Sequence, residues 1–114
     1  MPPRKLSEVL LEFAKPLLDE LDDAESCERA IELVALSWNL SLLDERERWR
    51  ILHEFAADMG QRDALVQQQT EQMVRELVER KKALYPEDRR MVVDFKLISL
   101  PDTWRLLVVS ALVK

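Results

Sequence analysis

The stretch RMVVDFKLISLPDTWRLLVVSALVK, residues 90–114, decides the fold because its pattern differs from everything before it. Its first half is rich in β-branched and aromatic residues, which strands prefer. Alternate positions there are apolar: Met91, Val93, Phe95 and Leu97. A turn signal with proline at its second position follows, over residues 100–103, and WRLLVVSAL continues as a return strand. The pattern predicts a C-terminal β-hairpin with strands at about 91–99 and 104–111.

Two features of this hairpin stay open in the sequence. Asp102 could instead cap a fifth helix over 103–112, which would give an all-α five-helix bundle, although the adjacent valines 108 and 109 favour a strand. The strand register depends on the loop, because an even loop pairs Phe95 with Val108 and an odd loop pairs it with Val109. In both registers the return strand is apolar on both faces, and a lone hairpin needs cover. We expect the helices to cover one face only.

Four amphipathic segments precede the hairpin and predict helices at about 7–21, 25–40, 44–59 and 64–84. Candidate N-caps begin them: Ser7, Asp22 (with Glu25), Asp44 (with Glu47) and Asp63. Pro16 should kink or split the first helix. The second helix is apolar nearly all round, which predicts a central position. The buried stripe expected for the fourth helix is Val66, Met73, Val74, Leu77 and Leu84. We therefore expect one α+β domain over residues 1–114, in which four helices carry the hairpin.

Composition excludes several classes of function. The formal net charge of −5 is a poor match to duplex nucleic acid, where neutralisation of phosphates dominates affinity. The only glycine, Gly60, argues against P-loop and dinucleotide sites. The single cysteine, Cys27, cannot form an internal disulfide, which is typical of a reducing cytoplasm. No run approaches the roughly 18 apolar residues of a membrane span, so we expect a cytoplasmic protein with no membrane partner.

Few residues could carry catalysis or hold a metal. His53 is the only imidazole, and the sequence around it lacks the second histidine of a zincin motif. One cysteine and one histidine cannot build a zinc site, and we expect Cys27 to be a small buried hydrophobe. No nucleophile, base and orienting group can be assembled from the sequence. We therefore expect no enzyme activity, no metal and no cofactor.

Two segments are candidates for a binding surface. The apolar return strand predicts a protein interface, because a large exposed apolar area marks one. Its candidate residues are Trp104, Leu106, Leu107, Val108 and Val109. The alternative is an RNA or anionic-ligand site formed by basic residues: Lys81, Lys82, Arg89 and Arg90. The arginines of ERERWR, residues 45–50, alternate with glutamates and indicate a solvated, self-paired face. The function that we expect first is a protein-interaction or self-association module, with a homodimer as one form of it.

Two motifs resemble a group of small bacterial proteins without an assigned function. They are AIELVALSWNLSLL, residues 30–43, and DRRMVVDFKL, residues 88–97, with the long charged helix between them and the apolar strand after them. The resemblance extends over most of the chain and implies a bacterial, cytoplasmic protein. It implies no site residues.

Overall fold

The computed structural model describes residues 4–60, 63–102 and 104–112, with the backbone alone at residues 59, 60 and 99. The elements in chain order are α1 (Leu6–Leu18), α2 (Ala24–Ser41), α3 (Glu45–Gly60), α4 (Ala64–Leu84), β1 (Arg90–Ser99) and β2 (Trp104–Leu112). The fold is α+β with four helices and an antiparallel hairpin, which confirms the predicted class. Because residues 104–112 form a strand, the five-helix alternative is wrong. Thr103, in the expected turn, lies outside the described residues.

The described residues divide into two compact units. The hairpin unit contains the residues up to Ala35 and those from Arg89 onward, and the α3–α4 unit is Leu36–Asp88. The boundary falls within α2, so that one helix contributes residues to both units. The expectation of a single domain stays a prediction.

The hairpin unit is held by apolar side chains at helical spacing. The residues that α1 buries are Leu6, Val9, Leu10, Phe13, Ala14 and Leu18. Helix α1 packs against β2. The N-terminal part of α2 adds Cys27, Ile31 and Val34, all at most 1% exposed. Full burial of one such aliphatic or aromatic side chain contributes about 1.5–3 kcal/mol. These apolar stripes therefore form the hydrophobic core of the hairpin unit.

The α3–α4 unit is built around Trp38, which is fully buried. Its ring lies 5.6 Å from that of Tyr85, centroid to centroid. Helices α3 and α4 pack along each other, and Trp49 of α3 is half-buried. The buried residues of α4 are Val74, Leu77, Val78 and Lys81. Three members of the predicted stripe are instead exposed: Val66, Met73 and Leu84. The stripe missed Lys81 because a lysine counts as polar in any apolar pattern.

The helix starts follow local hydrogen bonds. The carboxylates of Asp44 and Asp63 accept from backbone N–H groups one turn on, as predicted. For α2 the capping residue is Asp23, whose Oδ2 accepts from the Ser26 N–H at 2.9 Å, so the prediction of Asp22 is wrong by one position.

The first helix differs from its prediction at both ends. It begins at Leu6, after an N-cap (Lys5) that makes no side-chain capping bond, so Ser7 lies inside the helix. Pro16 does not divide it; the helix continues to Leu18 and ends there rather than near residue 21. Proline removes only one backbone donor, and here it lies in the last turn.

Candidate interaction surface

The register of the hairpin places Phe95 opposite Val108, the pairing expected for an even loop. One residue is inserted in β1 between Val92 and Asp94, which shifts the register and makes a β-bulge. A bulge changes which face the following residues occupy. Val92 and Phe95, three positions apart, therefore lie on the same face. The predicted alternation, with Met91 and Val93 on the face of Phe95, is wrong for this reason.

The inward face of the hairpin consists of residues that are buried or half-buried. Val92 is 6% exposed and Leu106 is 4% exposed. Half-buried neighbours complete the face: Phe95, Leu97, Trp104 and Val108. Leu106 is thus part of the core of the hairpin unit, and the prediction that it belongs to an exposed interface is wrong.

The outward face carries exposed apolar side chains among charged ones. We define it by Met91, Asp94, Lys96, Arg105, Leu107, Val109 and Ala111, which alternate with the inward residues. Val109 is 60% exposed and Leu107 is 45% exposed. Leu107 lies opposite Lys96, and Val109 lies opposite Asp94. Two of the five predicted interface residues therefore lie on this face, and they form its apolar centre.

Trp104 lies at the start of β2, beside α1. It shares a shallow depression with Leu11, Lys15, Leu18 and Asp19 of α1 and the residue after it. Trp104 is half-buried. Its side chain belongs to the inward face and also lines a second depression, with Leu100, Pro101 and Asp102 of the turn.

Each strand of this two-stranded sheet has one edge without a strand neighbour among the residues that the structure describes. Over the same residues, no member of β2 makes a backbone hydrogen bond outside the hairpin. Unpaired backbone N–H and C=O groups in a row form a template for another strand. The hairpin therefore offers a side-chain surface and a main-chain surface next to each other.

The basic segment does not present all of its predicted residues to solvent. Lys81 is 2% exposed, and its Nζ donates to the backbone oxygen of Asp88 at 2.6 Å. The ammonium also lies 4.9 Å from the centre of the Trp38 ring, a cation–π distance. Lys82 is exposed and lies 3.7 Å from a carboxylate oxygen of Glu79. Lys81 is thus a structural residue and unavailable to a surface ligand.

The two arginines of that segment belong to the other unit. Arg89 is exposed, and Arg90 donates from Nη1 to the backbone oxygen of Arg4 at 2.5 Å. An anion site that includes Lys82, Arg89 and Arg90 stays a prediction.

Arg48 overturns the interpretation of ERERWR as a solvated face. It is 7% exposed and donates to three backbone carbonyl oxygens: Leu40 at 2.9 Å, Leu43 at 2.8 Å and Ser41 at 3.3 Å. These oxygens lie at the end of α2 and just beyond it, where carbonyls lack helical partners. Arg50 does behave as predicted, with Glu47 at 3.5 Å and Glu54 at 3.3 Å. Only the fold brings the α2 carbonyls to Arg48, so no local signal identified it.

The residues that could take part in catalysis or metal binding, His53 and Cys27, belong to different units. His53 is exposed, with its Nδ1 3.2 Å from Oε1 of Glu71. Cys27 is buried, and burial raises the pKa of its thiol, with a smaller contribution from the charges of Asp23 and Asp22. Among the described residues no group of three or more histidine, cysteine or acidic side chains is placed to hold a metal ion. No helix in the described ranges has the length and apolarity to cross a membrane.

Comparison with known proteins assigns this chain to no family. The two motifs at residues 30–43 and 88–97 lie in α2 with its following turn, and in β1 with the residues just before it. Their resemblance to small bacterial proteins stays a prediction, as do the bacterial origin and the cytoplasmic location. No protein-family model, no curated protein and no solved structure matches this chain.

Proposed function

We propose that this chain is a protein–protein interaction module and that the outward face of the hairpin binds the partner protein. The observation that carries the proposal is the exposure of Leu107 and Val109, 45% and 60%, side by side on one strand. Because about half of each side chain is in water, burying the exposed part would contribute roughly half of the ~1.5–3 kcal/mol that full burial of such a side chain contributes. Contact with a partner protein would recover that free energy.

The surroundings of these two side chains support the same proposal. Asp94, Lys96 and Arg105 are exposed on the same face and border the apolar pair. An apolar centre with a polar rim is the usual anatomy of a protein interface. The open strand edges beside it add backbone donors and acceptors, which is how extended segments bind to sheets.

Site-specific photo-crosslinking in the cells that make this protein tests the proposal. A photoreactive amino acid at Val109 should yield a covalent adduct with another protein chain on irradiation. The matched control places the same amino acid at Ala83, an exposed position of α4. We expect an adduct at position 109, little at position 83, and loss of the adduct when Leu107→Lys is added.

Equal labelling at both positions, or none at position 109, would contradict the proposal. The Leu107→Lys variant should retain its circular dichroism spectrum, because the replaced side chain lies on the exposed face. A charged ammonium there would meet the partner's apolar surface and remain unpaired, which is costly in an interface.

A further inference from the structure

We infer that the partner is a second copy of this chain and that two copies join along β2, so that their hairpins form one four-stranded antiparallel sheet. The strand order would be β1, β2, then β2 and β1 of the second copy. The inference rests on the proposed function, names the partner and adds the β2 edge to the contact, so that Leu107 and Val109 of one copy would lie beside Val109 and Leu107 of the other.

The two edges of the hairpin differ in how well they are protected from pairing. β1 carries the bulge near Val93 and the charged residues Asp94 and Lys96. Bulges and charges are the devices by which proteins keep an edge strand from pairing. From residue 106 to residue 112, β2 has no charge, no proline and no bulge. The one charged residue of β2, Arg105, lies near its start. α1 packs against β2, yet among the described residues no member of β2 makes a backbone hydrogen bond outside the hairpin, so β2 is the edge that accepts another strand.

The sequence of β2 is self-complementary about its midpoint. Val108 is the middle residue of Trp104–Leu112, and a two-fold axis beside it pairs every residue of the strand. The pairs would be Trp104 with Leu112, Arg105 with Ala111, Leu106 with Ser110, and Leu107 with Val109. A two-fold interface requires that each pair occurs twice. No pair opposes like charges, which would be destabilising across strands.

This register also completes the outward face. A row across the four strands would read Asp94, Val109, then Leu107 and Lys96 of the second copy, because the hairpin itself pairs Asp94 with Val109 and Lys96 with Leu107. The two-fold axis generates a second row, in which the same four residues follow in the reverse order. Four apolar side chains would then form a continuous centre, bounded on each side by one acid and one base.

The strand ends gain cover in the same register. Leu112 is 76% exposed, the highest value among the exposed large apolar residues. Pairing with Trp104 of the second copy would place this side chain against an aromatic ring that is half-buried in its own chain.

Disulfide trapping of the purified full chain tests the register. In the Val108→Cys variant the two introduced thiols would face each other across the axis, within the ~4.5–5.5 Å between Cβ atoms of opposed residues. In the Leu112→Cys control the two thiols would be separated by roughly 27 Å, since a strand rises about 3.4 Å per residue. Native Cys27 is buried, so the unmodified chain serves as the blank.

We expect mild oxidation to convert most of the Val108→Cys protein to a species of twice 13.4 kDa, with less than a tenth of that yield for Leu112→Cys. Light scattering of the unmodified chain should show the same doubling of mass as its concentration is raised. If Val108→Cys does not fold by circular dichroism, the test moves to an equimolar mixture of Leu107→Cys and Val109→Cys proteins. That mixture should crosslink more than either protein alone.

Two results would overturn the inference. One is a folded Val108→Cys protein that stays uncrosslinked, and the other is equal crosslinking of Leu112→Cys. If the chain stays monomeric while the photoreactive group at position 109 captures a different protein, the inference fails and the proposed function stands. If position 109 captures nothing, both fail.

Discussion

Lys81 places a positive charge inside the α3–α4 unit, where an uncompensated charge would cost several kcal/mol. The structure compensates the charge with the backbone oxygen of Asp88 and the face of Trp38. The lysine therefore occupies a position in the α4 stripe that pattern reasoning reserves for an apolar residue. Its alkyl chain supplies that apolar contact while the ammonium finds its acceptor.

We expect Lys81→Met to lower the free energy of unfolding by about 2 kcal/mol, because a hydrogen bond from a charged donor contributes ~1.5–3 kcal/mol. Urea denaturation followed by tryptophan fluorescence measures the change. Lys82→Met is the matched control, since Lys82 is exposed and its ion pair is long. Surface changes of that kind stay within about 0.5 kcal/mol. Equal losses in the two variants would show that the buried ammonium has no special role.

Asp23 is a single residue that makes the stability of the folded chain depend on pH. The Ser26 backbone N–H and then its hydroxyl donate to the Asp23 carboxylate and lower its pKa in the folded state. A lowered folded pKa means that this stabilisation is present above the pKa of the unfolded chain and is lost as the pH falls through the folded value.

The variant Asp23→Asn keeps a capping oxygen and removes the titration. We expect the melting temperature of the unmodified chain to fall relative to that of the variant between about pH 5 and about pH 2. Above about pH 6 the difference between them should stay constant. A difference that is the same at neutral and acid pH would contradict the role of this carboxylate.

At the scale of elements, α2 is capped at both ends by side chains from nearby in the chain. Asp23 accepts at its start, and Arg48 donates to the carbonyls at its end. A single arginine that satisfies three carbonyls fixes the turn between α2 and α3. Charge-assisted bonds of this kind are roughly twice as strong as neutral ones.

We expect Arg48→Met to destabilise the chain by about 3 kcal/mol, because buried carbonyls that lose a charged donor each cost ~1–3 kcal/mol. The control is Arg46→Met, which removes an exposed arginine from the same turn of α3. Thermal and urea unfolding of both variants give the comparison. A loss below 1 kcal/mol for Arg48→Met would mean that water replaces the guanidinium at no cost.

Local signals in the sequence predicted where the helices and strands lie better than they predicted which face of each is buried. The caps Asp44 and Asp63 were predictable because their hydrogen bonds reach only two or three residues along the chain. The bulge at Val93 was not predictable from an alternating pattern. One inserted residue reverses the alternation by which residues are assigned to faces. Arg48 also escaped prediction, since its acceptors come near it only after the turn between α2 and α3 has formed.

For the candidate surface, the sequence predicted the strand but not its exposed side. Leu107 and Val109 alternate with Leu106 and Val108, and all four are apolar. Which pair faces water depends on the side from which α1 packs against β2, a tertiary contact with no local signature. The two-faced apolar pattern did predict that one side of the strand would lack cover, and Leu107 and Val109 are exposed.

At the scale of the whole molecule, the two units differ in how the chain supplies them. The α3–α4 unit is one continuous segment, Leu36–Asp88, whereas the hairpin unit joins the residues up to Ala35 to those from Arg89 onward. Contacts between distant parts of a chain require closure of a long loop, which slows folding. The two units therefore carry different entropic costs of assembly.

The split make-up of the hairpin unit has a consequence for translation. A ribosome adds about 5–20 residues per second from the N-terminus, so α1 leaves the exit tunnel before β1 and β2 exist. The apolar stripe of α1 then has no strand to pack against. Until those strands emerge, the nascent chain exposes the apolar face of a helix that the finished hairpin unit buries.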